Sequence, residues 1–191
     1  VNHTLRVGAG GPATGVLKFG AGQDLELGTP TLRTPLNIGD TEGYKTTLTK
    51  GTVTKTGGAA TVYAGHTYIG NHPLHTDGGA EGTLDFSGVT SGAWIMGANY
   101  QLRVGCKRNS TGLMKLGATD DFLGESSGSP TYMYIGATEG YAGTLSQGTL
   151  TKDGGTLEGW VNYLREGYNE LTTANSAIGE LNLTNTTLTA N

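Results

Sequence analysis

The segment Ile38–Gly58, IGDTEGYKTTLTKGTVTKTGG, returns as Ile135–Gly155, IGATEGYAGTLSQGTLTKDGG, with 14 of 21 positions identical and no gap. The same offset of 97 residues carries Leu5–Ala21, LRVGAGGPATGVLKFGA, onto Leu102–Ala118, LRVGCKRNSTGLMKLGA, with 9 of 17 identical. It also carries Gly82-Thr-Leu-Asp-Phe onto Gly179-Glu-Leu-Asn-Leu. A fixed, gap-free offset over most of a chain is the mark of duplication, and it constrains the fold more than any local propensity. The expected organisation is two units, 1–97 and 98–191, joined in one continuous object.

A shorter beat runs inside each unit. A short apolar run ending in glycine recurs at Gly8, Gly39, Gly70, Gly105, Gly136 and, degraded to Arg-Glu-Gly, at Gly167. The spacings are 31, 31, 35, 31 and 31 residues. A second apolar mark follows each glycine, at Leu17, Leu48, Leu84, Met114, Leu145 and Leu181. Its distance from the glycine is 9, 9, 14, 9, 9 and 14 residues, which places a five-residue insertion in the third repeat of each unit. The insertion loops, Asn71–Ala80 and Tyr168–Ala177, are expected to protrude on one side of the molecule.

A repeat of about 31 residues cannot bury its own apolar face and must stack on its neighbours. Glycine at 34 of 191 residues argues against helix, since each interior glycine costs about 1 kcal/mol relative to alanine. Segments such as TTLTKGTVTKT alternate β-branched and turn-forming residues with a period of two, as strands do. The predicted fold is all-β: a parallel β-solenoid of about six coils, rising about 29 Å at 4.8 Å per coil. Val7, Ile38, Ile69, Val104 and Ile135 are predicted to form one inward ladder. Leu17, Leu48, Leu84, Met114, Leu145 and Leu181 are predicted to form a second.

The pattern apolar-Ile-Gly, spacer, Gly-Thr-Leu-x-x-Gly-Thr-Leu/Val-Thr resembles the repeats of large bacterial autotransporter-type passenger and surface proteins. Those repeats form right-handed parallel β-helices. The resemblance covers five of the six repeats. It implies a secreted, surface-exposed stalk, adhesin or fibre, and it brings no catalytic residues with it.

Composition narrows the function classes. A net charge of −4 without a basic stripe disfavours nucleic acid as a partner. One cysteine, Cys106, excludes an intramolecular disulfide framework. No apolar run approaches the roughly 20 residues that a spanning helix needs. Charged residues at 15% with abundant Thr, Asn and Gly suit an extracellular or cell-surface protein. The chain starts VNHTLRV, as a processed product or an excerpt of something longer would.

Candidate chemistry is sparse. Glu42 and Tyr44, matched by Glu139 and Tyr141 in the duplicated TEGY, place a carboxylate beside an aromatic ring and are candidates for sugar binding. His66, His72 and His75 lie within ten residues beside Asp77, but their spacing matches no strong metal signature, and solvated loop histidines are expected. Asp120-Asp121 is the only paired acid, without a basic set around it for general acid–base work, so no enzyme and no cofactor are expected. Thr-x-Thr occurs at Thr29–Thr31, Thr52–Thr54, Thr54–Thr56, Thr149–Thr151 and Thr187–Thr189 among other places, which raises ice binding as an alternative to carbohydrate binding. The expected role is that of a structural solenoid whose copies associate end to end, since both ends start and stop in strand-like sequence and lack polar caps.

Overall fold

The computed structural model describes residues 3–42, 47–73, 78–97, 99–124, 130–138, 145–169 and 176–190. The described residues form strands, turns and bends, without helix, and every strand pairing is parallel. The chain winds as a three-faced β-solenoid, at about 31 residues per turn.

Rung one is β1 (Leu5–Val7), β2 (Thr14–Phe19) and β3 (Leu25–Leu27). Rung two is β4 (Thr34–Asp40), β5 (Thr47–Lys55) and the first half of β6 (Ala59–His72). β6 turns a corner unbroken, and its second half opens rung three, which continues through β7 (Gly78–Phe86) and β8 (Ser91–Met96). Rung four is β9 (Gln101–Lys107), β10 (Ser110–Leu116) and β11 (Asp120–Leu123); rung five is β12 (Thr131–Ile135), β13 (Leu145–Asp153) and β14 (Thr156–Gly159). β15 (Val161–Glu166), β16 (Ser176–Thr184) and β17 (Thr187–Ala190) end the stack. The chain therefore returns to the first face five times and covers most of a sixth turn. The middle strands stack as one six-stranded sheet, and the other two faces join through β6 into an 11-stranded sheet.

The first inward ladder runs Val7, Ile38, Ile69, Val104, Ile135, all buried and in register, and ends at Glu166. The second ladder differs from expectation at two rungs. Register places Leu17 opposite Val53, then Leu84, Met114, Leu150 and Leu181. Leu48 and Leu145, expected in this ladder, are instead 40% and 42% exposed. Val53 and Leu150 hold their places.

The cause is a second glycine column. Gly15, Gly51, Gly82, Gly112, Gly148 and Gly179 face one another in adjacent strands, two residues ahead of each core residue. The first column, Gly8 to Gly167, has φ between +54° and +60° at all six positions. A Cβ on Gly105 would lie 1.7 Å from the Gln147 carbonyl oxygen of the next rung, and one on Gly112 would lie 2.1 Å from Gly105 N. The two columns thus touch backbone to backbone and pinch each rung into a neck, a contact only glycine allows. What varies is the excursion between the two glycines, which is short in rungs one and four and five residues longer in the other four. The insertion is therefore not confined to the third repeat of each unit, and the second mark, counted from the wrong glycine, landed on Leu48 and Leu145. Of the two loops expected to protrude, residues 74–77 and 170–175 lie outside the described residues; the strands flanking them occupy this same corner three rungs apart.

The period-two rule also points two lysines inward. Lys55, two residues past Val53, and Lys152, two past Leu150, are each 1% exposed. Leu116 stands opposite Lys152, and Phe19 opposite Lys55.

Candidate functional site

Beyond the neck the hydrogen-bonded ladder continues for two more residues per rung, and its side chains change character. Asp40, Asn71, Cys106 and Ala137 form one buried row, with Asp40 opposite Asn71 and Asn71 opposite Cys106. In the next row, the Thr41 N–H donates to the Asn71 carbonyl at 3.1 Å and the Lys107 N–H to the Ala137 carbonyl at 2.7 Å. Buried His72 meets Thr41 Oγ1 through Nδ1 at 3.0 Å. Ninety-seven residues on, Thr138 Oγ1 donates to Asn169 Oδ1 at 3.1 Å, the same contact in the second unit. Rungs two, three, five and six thus carry polar side chains beyond the neck, an annex outside the apolar core.

The annex of rungs two and three opens into a cleft of about 420 Å³. Asp40 lies in its wall with 2% exposure; its Oδ1 accepts the Glu42 N–H at 3.0 Å and Asn71 Nδ2 at 3.3 Å. Burial pushes the Asp40 carboxyl up to about 6, against the opposing pull of those two hydrogen bonds. Asn71, 3% exposed, uses its amide nitrogen on Asp40 and leaves Oδ1 without a hydrogen-bond partner. Glu42, at φ +50°, is held by Arg6 Nε at 2.9 Å and by Asn37 Nδ2. Tyr68, Pro73, Arg103 and Lys107 complete the described lining. Among the described lining residues the charged groups are Arg6, Arg103, Lys107, Asp40 and Glu42, with Glu42 paired to Arg6.

From the cleft an outward ladder runs along the first face. Arg103 stands opposite Tyr68 and Tyr134, and Arg165 opposite Tyr134, each one rung on. The Arg103 guanidinium carbon is 5.6 Å from the Tyr68 ring centroid and 5.3 Å from that of Tyr134. The Arg165 guanidinium lies 5.7 Å from Tyr134, 5.1 Å from Tyr163 and 4.4 Å from Tyr168. Parallel in-register stacking produces this alternation, because residues at one phase of successive rungs sit about 4.8 Å apart.

Of the residues singled out from sequence, Glu42 lines the cleft. Tyr44, Glu139, Tyr141 and His75 lie outside the described residues. His66 and His72 are not loop residues: both belong to β6, His66 at its corner and His72 at its end. His66 packs edge-on to Tyr100 at 5.1 Å and accepts the Gln101 N–H at 3.2 Å. Burial, with Arg103 nearby, lowers its pKa below the ordinary value. Among the described residues no group of three His, Cys, Asp or Glu side chains could hold a metal ion.

Asp40, Asn71, Arg6 and Arg103 were missed. The 31-residue spacing aligns Asp40 with Asn71, but nothing in the sequence marks the row past each glycine as buried. The Thr-x-Thr pairs of the middle face stand at rungs two and five, separated by rungs bearing Thr83 with Asp85 and Leu113 with Lys115. A continuous threonine plane is therefore not built there.

Compared with family models, with characterised proteins and with solved structures, the chain finds no match in any of the three.

Proposed function

We propose that the protein is a structural, extracellular or cell-surface solenoid module, a segment of a fibre, stalk or adhesin, whose copies stack end to end. The observation that carries this reading is the open core at the last rung. Leu164 and Leu188, at inward positions, are 50% and 54% exposed, and a cavity of about 170 Å³ lies between them and Leu123, Met133 and Leu157. Rung three stacks on rung four within the chain, with Ile69 opposite Val104 and Leu84 opposite Met114. Rungs six and one are the duplicates of rungs three and four, so a second copy placed on rung six meets it through the same strand order. Leu181 then faces Leu17 of the next copy.

The departure is Glu166, which holds the place of Ile69. Inward charges at sheet edges oppose indiscriminate pairing, so Glu166 limits how readily the ends join. Light scattering at rising concentration, with electron microscopy, tests the reading. Wild type should associate with concentration, and Glu166→Leu should shift association to lower concentration and lengthen the particles. Monomers of both forms at every concentration, without filaments, reject it.

A further inference from the structure

We propose that Tyr132 and Tyr163 are a modification site: one-electron oxidation by a haem peroxidase with hydrogen peroxide couples them into a dityrosine bridge that staples rung six to rung five. The proposal stands whether or not copies stack end to end.

Register brings the two phenols together. Tyr132 of β12 pairs with Tyr163 of β15, although the residue before it, Thr131, pairs with Val161. Asn162 is the extra residue, a β-bulge that advances β15 by one position and re-aims Tyr163 onto Tyr132. The ring centroids lie 5.7 Å apart, with the planes tilted by 30°. Tyr163 is 47% exposed and Tyr132 is half-buried, so an oxidant reaches the pair from solvent.

Neither the face nor the duplication demands this pair. Elsewhere on the first face Tyr68 and Tyr134 stand two rungs apart, with Arg103 between them at 5.6 and 5.3 Å from their rings. Tyr132 and Tyr163 occupy adjacent rungs instead. Ninety-seven residues earlier the same places hold Pro35 and His66. The same corner is built there without a phenol.

The position suits a covalent tie. Rung six packs on rung five, and its inward Leu164, next to Tyr163, is 50% exposed beside the apolar cavity. A bond across the ladder fastens a rung that a single chain holds from one side.

In the coupling each phenol gives up one electron and one proton and becomes a phenoxyl radical. The radicals join through ring carbons ortho to the oxygens, and the hydrogens on those carbons shift to the oxygens and restore two phenols. The chain loses two hydrogens in all. One hydrogen peroxide takes up the two electrons and two protons and leaves as two waters. Rings held in contact couple within the chain faster than between dilute chains.

Treatment of the dilute full chain with a haem peroxidase and hydrogen peroxide tests the site. The monomer should lose the mass of two hydrogens, gain dityrosine fluorescence and release on digestion a peptide pair joined through Tyr132 and Tyr163. Tyr132→Phe and Tyr163→Phe should each lower the yield of bridged monomer by at least about tenfold, while Tyr63→Phe should leave it unchanged. Urea-unfolded wild type should lose this bridge by about tenfold as well, because its nine tyrosines then meet without register. The bridged chain should melt about 5 °C above peroxidase-treated Tyr163→Phe, since the tie restricts the unfolded chain. Circular dichroism establishes that each variant is folded. Folded wild type that forms no bridge, or that couples only between chains, overturns the proposal. So does a bridge that survives both single variants, and so does a bridged chain that melts no higher, which would deny the staple.

Discussion

Lys152 and Asp121 meet inside the stack, Nζ 2.7 Å from Oδ2, with side chains 0% and 1% exposed. The ammonium also donates to the carbonyls of Gly117 at 3.1 Å and Thr119 at 2.6 Å. The carboxylate accepts the Trp94 N–H at 2.6 Å and the Thr119 hydroxyl. Lys55 holds the same place in the first unit but is met by backbone alone, the carbonyls of Gly20, Gln23 and Gly57. The Lys152 pair ties rung five to rung four. Removing one partner strands the other in a dry core, at a cost of about 3–5 kcal/mol, whereas replacing both by apolar residues of like volume is neutral or stabilising. Asp121→Ala should therefore lower the urea midpoint sharply, and Asp121→Leu with Lys152→Met should restore most of it. Equal losses in the single and double variants would refute this account.

Leu150 and Leu145 separate the core from the annex. Leu150→Ala should cost about 2–5 kcal/mol, as truncation of a buried leucine does. Leu145→Ala, at an exposed site, should stay within about 0.5 kcal/mol of wild type. Denaturant unfolding of the pair decides whether the ladder runs through Leu150. The reverse order of effects would contradict the register.

Gly105→Ala should abolish folding or cost more than about 4 kcal/mol, because it combines a positive φ with a Cβ 1.7 Å from the Gln147 oxygen. Gly11→Ala meets nothing within 4 Å and should be close to neutral. Soluble yield and thermal melting of the two variants measure the difference. A well-folded Gly105→Ala protein would mean that the neck can open.

Asp40 should make stability depend on pH. Its carboxyl stands at about 6 in the folded chain against an ordinary 3.8, so the folded state binds the proton more tightly. The contribution is fully present below about pH 4 and is lost as pH rises through about 6, a change of roughly 3 kcal/mol. Glu42 and Lys107 face this carboxyl and partly oppose one another. Asp40→Asn should flatten the slope between pH 4 and 6.5 and raise stability at neutral pH by about 1–3 kcal/mol, read from urea midpoints. A slope unchanged by Asp40→Asn would place its origin elsewhere.

The duplication and the 31-residue beat were legible because parallel stacking repeats one environment at one phase, and the Val7–Ile135 ladder follows from that alone. The Leu48 and Leu145 assignments went astray because only one glycine column was counted. The second was present in plain view as Gly-x-apolar, in GVL, GTV, GTL, GLM, GTL and GEL, at a constant distance of two. The buried lysines were obscured by composition: Thr-Lys-Thr reads as surface, although the period of two that places Val53 inside places Lys55 there as well. The cleft was only partly legible. Glu42 stood out through the repeated TEGY, but the side-chain partner of Asp40, Asn71, comes from the next rung 31 residues away, and pairing at that range depends on register rather than on any local motif.

The glycine neck divides each turn into two territories that change by different rules. Inside it, side chains must conserve volume, since five neighbouring layers share one core. Outside it, the chain can gain or lose five residues, as rungs one and four differ from the rest, and the layers within do not shift. Length variation is thereby decoupled from register. A molecule built this way can acquire or lose surface along one edge, rung by rung, while its apolar column remains the same.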